Sequence, residues 1–176
     1  MTGNGPLVRP FPVAGPHMLL AYQQLEAPAA GSTSVAGVDQ LPRPWDLATC
    51  FDPALRLEVW QWLDQVVDWI NTEHVWASEG AIPHCWPLHP HLVHDLATLA
   101  DQRRTAALGL TSDPLEEWHR YALPTFTDRM RHHLRDTCTT DHQAAPGAAR
   151  RARYRDPIAA QQRQQWYVAD AAPGQA

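Results

Sequence analysis

At 176 residues, with 44% hydrophobic and 19% charged side chains, the chain is sized and composed for one globular domain and leaves little room for a second. A formal charge of −5 excludes a protein whose whole surface is basic, and no stretch approaches the roughly 20 apolar residues of a membrane span. Three cysteines, Cys50, Cys85 and Cys138, cannot form a paired framework.

The first 50 residues lack a signal peptide's charged start and long apolar run, so a cytoplasmic protein with reduced thiols is expected. They are rich in Pro, Gly, Ala and Ser, with Pro6, Pro10, Pro12, Pro16, Pro28, Pro42 and Pro44 among the 16 prolines of the chain. Such a composition buries too little apolar surface to offset ordering entropy, and residues 1–50 are read as a mostly disordered arm. Its one apolar patch, Met18 to Leu25, has the makings of a short helix that docks on the core or on a partner.

Order is expected from Asp52-Pro53, a capping carboxylate followed by proline at the first helical position. The helix that follows, to about Ala77, gathers Leu55, Val59, Trp60, Trp62, Leu63, Val66, Val67, Trp69, Ile70 and Trp76 on an apolar arc of roughly 200°, wider than a simple amphipathic stripe. Trp62, Trp69 and Trp76 recur every seven residues along its edge, and Gln61, Asp64, Gln65, Asp68, Asn71 and Thr72 fill the opposite, polar arc. Residues 80–90, Gly-Ala-Ile-Pro-His-Cys-Trp-Pro-Leu-His-Pro, form a turn segment whose three prolines forbid a helix. A second helix starts at Pro90 on Leu92, Val93, Leu96, Leu99 and Ala100, and Gly109 is a natural stop. Asp113-Pro114 reads as the cap of a third helix, with Glu116 placed for a capping box. Pro124 must kink or restart that helix before Phe126, Met130, Leu134 and Cys138 continue at i+4 steps. The expected fold is all-α, a three- to four-helix domain over residues 51–142 between two disordered arms.

Charge is unevenly placed. Residues 51–142 carry fourteen acids against seven arginines, whereas residues 143–176 carry five arginines against two acids. The second stretch reads as a linker and basic tail with Arg150, Arg151, Arg153 and Arg155 inside six residues. A solvated tail is the plain reading, and weak contact with nucleic acid or with the acidic core of another copy is the functional one. Lysine is absent from the chain, which fits the codon bias of a GC-rich genome.

Cys85 and His89 are separated by three residues in the turn before the second helix, and Cys138 and His142 repeat this Cys-x₃-His spacing after the third. Two cysteines and two histidines can close a tetrahedral zinc site, structural in character, if the helices pack antiparallel; the alternative is buried thiols and capping histidines. His89, His91, His94 and Asp95 are ordered His-x-His-x-x-His-Asp, off by one from the His-x-His-x-Asp-His metal signature of metallo-β-lactamases, and they open a helix instead of following a strand. A metal-dependent hydrolase is therefore a distant third reading, and His91 and His94 are expected on the surface. There is no Gly-rich phosphate loop, nucleophile elbow or paired-Cys redox motif, and no catalytic residue is assigned.

Six of the eight tryptophans fall within the predicted helical unit, where a small core cannot enclose every ring. Trp62, Trp69, Trp76 and Trp86 are accordingly candidates for an interface with another protein. The run from Trp60 through Trp69, the segment from Cys85 to Val93, Leu96, Leu99, Trp118-His119 and the closing Cys138 resemble an uncharacterised family of small actinobacterial proteins. Members combine a Trp-rich helix, a Cys, Trp, His-Pro segment opening a second helix, and a Trp-His segment ending in Cys, and they are typically encoded on plasmids, integrative elements and phages. The resemblance covers about residues 55–142 and implies no known reaction. Together these features point to a non-catalytic adaptor that binds another protein, with an accessory nucleic-acid binder using the tail arginines as the alternative.

Overall fold

The computed structural model describes residues 7–26, 41–134, 137–138, 142–143 and 147–171. The chain divides into two compact units, residues 1–139 and 140–176. Among the described residues every regular element is helical, apart from one isolated bridge between Arg43 and Asp46.

In the first unit the central helix is α2 (Pro53–Glu73), and it starts where the sequence says. The Asp52 carboxylate accepts from the Ala54 N–H at 2.8 Å, and Pro53 takes the position where no donor is lost. Its wide apolar arc is explained by cover on two sides. One side meets α3 (Pro90–Ala106), which buries Leu92, Leu96, Ala97 and Ala100. The other meets the N-terminal segment, whose composition predicts disorder.

That expectation is corrected for residues 9–26. The Met18 to Leu25 patch lies in α1 (Pro16–Glu26), which packs on α2 and buries Met18, Ala21 and Tyr22. Ahead of it, the extended residues 9–14 run against α2, where the Trp62 indole N–H donates to the Pro12 carbonyl at 3.1 Å and the Trp69 indole N–H to the Arg9 carbonyl at 3.0 Å. Phe11 sits edge-on to both rings. Glu58 closes the corner, accepting from the Met18 N–H at 2.7 Å. Prolines in such a segment do not prevent docking, because a chain without spare N–H groups still offers carbonyls to indole donors. Residues 41–50 also belong to the body: Leu47 and Cys50 are buried. The rest of the arm, residues 1–6 and 27–40, lies outside the described residues.

The third helical stretch is continuous from residue 113 to 134 but changes pitch: α4 (Asp113–Glu117), a π-helical turn (Trp118–Ala122) and α5 (Leu123–Leu134). Proline at position 124 offers no N–H to the preceding turn, and one wider turn just before it absorbs the mismatch without breaking the helix. Ser112, not Asp113, is the residue before this stretch, and its side chain caps nothing. The apolar steps Phe126, Met130 and Leu134 are buried, and α5 lies on α3.

The second unit is also helical where it is described. It comprises α6 (Ala148–Arg155) and α7 (Pro157–Ala171), so the expected basic tail is ordered here. Asp156 makes the joint, its carboxylate accepting from the Ile158 and Ala159 N–H groups at 3.0 and 3.2 Å.

Candidate metal centre

The segment 80–90 is held by a residue of the polar arc of α2. Asn71 of α2 donates through Nδ2 to the Ile82 carbonyl at 3.0 Å and accepts from the Ile82 N–H at 2.8 Å, so both polar groups of one loop residue are fixed. Trp86 then drops into the core against Trp60, with ring centroids 5.5 Å apart. A short 3₁₀ turn (Trp86–Leu88) separates Cys85 from His89, and His89 precedes Pro90 at the start of α3. The turn brings both side chains to one point: Cys85 Sγ lies 3.5 Å from His89 Nε2.

Cys138 arrives at the same point from the other end of the unit. Its Sγ is 3.4 Å from His89 Nε2, so one imidazole nitrogen faces two sulfurs from segments 49 residues apart. All three residues are buried. Cys138 also adopts a left-handed backbone, φ 60°, the only non-glycine residue described to do so. A left-handed backbone position ordinarily falls to glycine, and a side chain there is strained. That strain falls on a residue whose sulfur meets another ligand. Burial pushes the Cys85 thiol above its ordinary range, and Cys138 beside it pushes the same way.

The ligand atoms of Cys85, His89 and Cys138 lie within 4.8 Å of one another, three donors of the predicted Cys₂His₂ set; His142, the fourth, is exposed and belongs to the second unit. The spacing suits zinc. With Zn–S near 2.3 Å and Zn–N near 2.05 Å, tetrahedral angles put sulfur and nitrogen about 3.6 Å apart. The two separations, 3.5 and 3.4 Å, are close to that edge.

The remaining candidates fall apart from this centre. His84, His91 and His94 are exposed, and the His-x-His order reflects no assembled second site among the described residues. Cys50 is buried elsewhere, its Sγ 3.5 Å from the Arg43 carbonyl. Of the four tryptophans read as an interface, Trp62, Trp69 and Trp86 are buried, so that part of the reading is corrected. The first two grip the N-terminal segment and the third anchors the ligand turn. Trp76 is fully exposed beyond the end of α2. Arg150, Arg151, Arg153 and Arg155 are exposed on α6.

One further cluster had no sequence signal. The Arg103 guanidinium lies 5.2, 5.6 and 5.7 Å from the ring centres of Phe11, Trp69 and Trp118, a cation held by aromatic faces instead of by an acid.

No protein-family model, curated protein or solved structure matches this chain. No helix among the described residues is long and apolar enough to cross a membrane.

Proposed function

We propose that the protein is a non-catalytic helical adaptor whose scaffold is stapled by one zinc ion held by Cys85, His89, Cys138 and His142. The observation that carries this reading is the convergence of two buried sulfurs on one buried imidazole nitrogen at tetrahedral spacing. Thiolate and imidazole are the donors zinc prefers, and two thiolates cancel the charge of the ion, so a buried centre stays near neutral. Four protein ligands fill the shell and leave no position for water or substrate, which is the pattern of a structural site. The staple ties the turn before α3 to the end of α5, the two places where the chain leaves its helices.

The adaptor role rests on the aromatic side chain that the core leaves out. Trp76 stands at the lip of a cleft of about 190 Å³ whose apolar lining, Ile70, Val75 and Leu123, is joined by His74 and Arg131. Trp and a neighbouring apolar recess are the usual centre of a protein contact.

Elemental analysis of untagged protein tests the first part: one zinc per chain, lost on replacing Cys85 and Cys138 by Ser, is expected. Absence of stoichiometric metal refutes it. For the second part, Trp76→Ala is expected to abolish binding of a host protein that wild-type protein captures, without altering thermal stability. Retention of that binding refutes the assignment of the surface.

A further inference from the structure

From the second unit we infer a second binding surface: α6 and α7 hold single-stranded nucleic acid, the α6 arginines on the phosphate backbone and the α7 aromatics against the bases.

The argument begins with α6. Four of its eight residues are arginine, none is acidic, and among the described residues none of Arg150, Arg151, Arg153 and Arg155 makes an ion pair. Arg150 and Arg153 are three apart, Arg151 and Arg155 four apart, so like charges face each other along the helix. An eight-residue helix does not hold alone in water, and repulsion between its side chains weakens it further. A polyanion removes that repulsion, because α6 concentrates four positive charges within about 12 Å.

The corner at Asp156-Pro157 joins α6 to α7. Arg163 of α7 reaches back over the Tyr154 ring, 3.7 Å from its centre, so the two helices keep a defined relation. Trp166 and Tyr167 are 62% and 56% exposed, and α7 buries no residue. Exposed arginines and open aromatic rings on one two-helix unit are the combination that tracks a backbone and stacks unpaired bases. A duplex offers the phosphates but keeps its bases stacked on each other, so it has no use for Trp166 and Tyr167. A membrane surface requires a continuous apolar face, whereas Gln161, Gln162, Gln164 and Gln165 interrupt α7. Those amides suit base edges.

The test measures binding of the full chain to a fluorescent single-stranded oligonucleotide across salt concentrations. Four phosphate contacts give a slope of log affinity against log salt of about −2.8, which is a loss of roughly 50-fold between 50 and 200 mM. Replacing Arg150, Arg151, Arg153 and Arg155 by Gln is expected to flatten that slope. Trp166→Ala is expected to lower affinity about tenfold at every salt with the slope unchanged, which separates stacking from charge. Equal affinity for a duplex of the same length with no effect of Trp166→Ala overturns the inference. Binding to anionic vesicles or salt-sensitive self-association in place of oligonucleotide binding overturns it as well. The Cys85 and Cys138 serine variants keep both α6 and α7, so failure of the zinc reading and failure of this one are seen independently.

Discussion

Replacing Cys138 by Gly separates two properties that the cysteine combines. At φ 60° the side chain stands in the left-handed region, which costs roughly 1–2 kcal/mol that glycine does not incur. Against this, the glycine loses a small buried side chain and gains unfolded-state freedom, together about 1–2 kcal/mol in the other direction. Without metal the variant is therefore expected within about 1 kcal/mol of wild type. With zinc the sign is no longer balanced, because a four-ligand shell drops to three. At free zinc a thousandfold above the dissociation constant, binding to the folded chain contributes about 4 kcal/mol, most of which Cys138→Gly forfeits. For a unit of this size that is a fall of roughly 10 °C in Tm seen only with metal present. Urea unfolding followed by tryptophan fluorescence, in parallel with zinc and with a chelator, measures both. Cys50→Ala is the control, since Cys50 is buried away from the centre and its effect must not depend on metal. An equal loss for Cys138→Gly in zinc and in chelator returns Cys138 to ordinary packing.

Asn71→Ala removes both hydrogen bonds to Ile82 and is expected to destabilise by about 2 kcal/mol and to weaken zinc affinity at least tenfold in a chelator competition, because the ligand turn loses its anchor. Met18→Ala, at a side chain with no exposed surface, is expected to cost about 3 kcal/mol in urea; a loss below about 0.5 kcal/mol in that titration would show that α1 is not docked. Glu58 gives a pH signature: burial works to raise its pKa, but hydrogen bonds from the Met18 N–H and His17 outweigh it and hold the carboxylate below its ordinary range. A depressed folded-state pKa means stability that is present above about pH 4.3 and lost as pH falls from there through the folded value. Wild type should lose more stability than Glu58→Gln between pH 5 and 3, and parallel curves would contradict the assignment.

The helices were legible because their signals are local. A cap and proline at Asp52-Pro53, apolar steps along α2 and α3, and the proline-bearing turn between them each lie within a few residues. The metal set was legible for another reason: a repeated Cys-x₃-His spacing is informative whatever the fold, provided the topology brings the two pairs together. What the sequence reading missed are contacts whose two halves are distant. Pro12 and Trp62 are 50 residues apart, and Arg9 and Trp69 are 60 apart. Nothing near Arg9 or Pro12 announces an indole. The clue lay in α2, where Trp62 and Trp69 sit one heptad apart on an arc too wide for a single packing partner. An arc of that width requires cover on a second side, and a proline-rich segment with idle carbonyls is a natural cover for two indole donors. The same two-sided burial explains why the Trp-rich face is not an open interface. Cover by residues 9–14 satisfies Trp62 and Trp69, and it stops short of Trp76, whose ring lies beyond the end of α2. The exposed tryptophan is thus the third of a periodic series whose first two members are clasped, and it lies past the end of the helix that those two share.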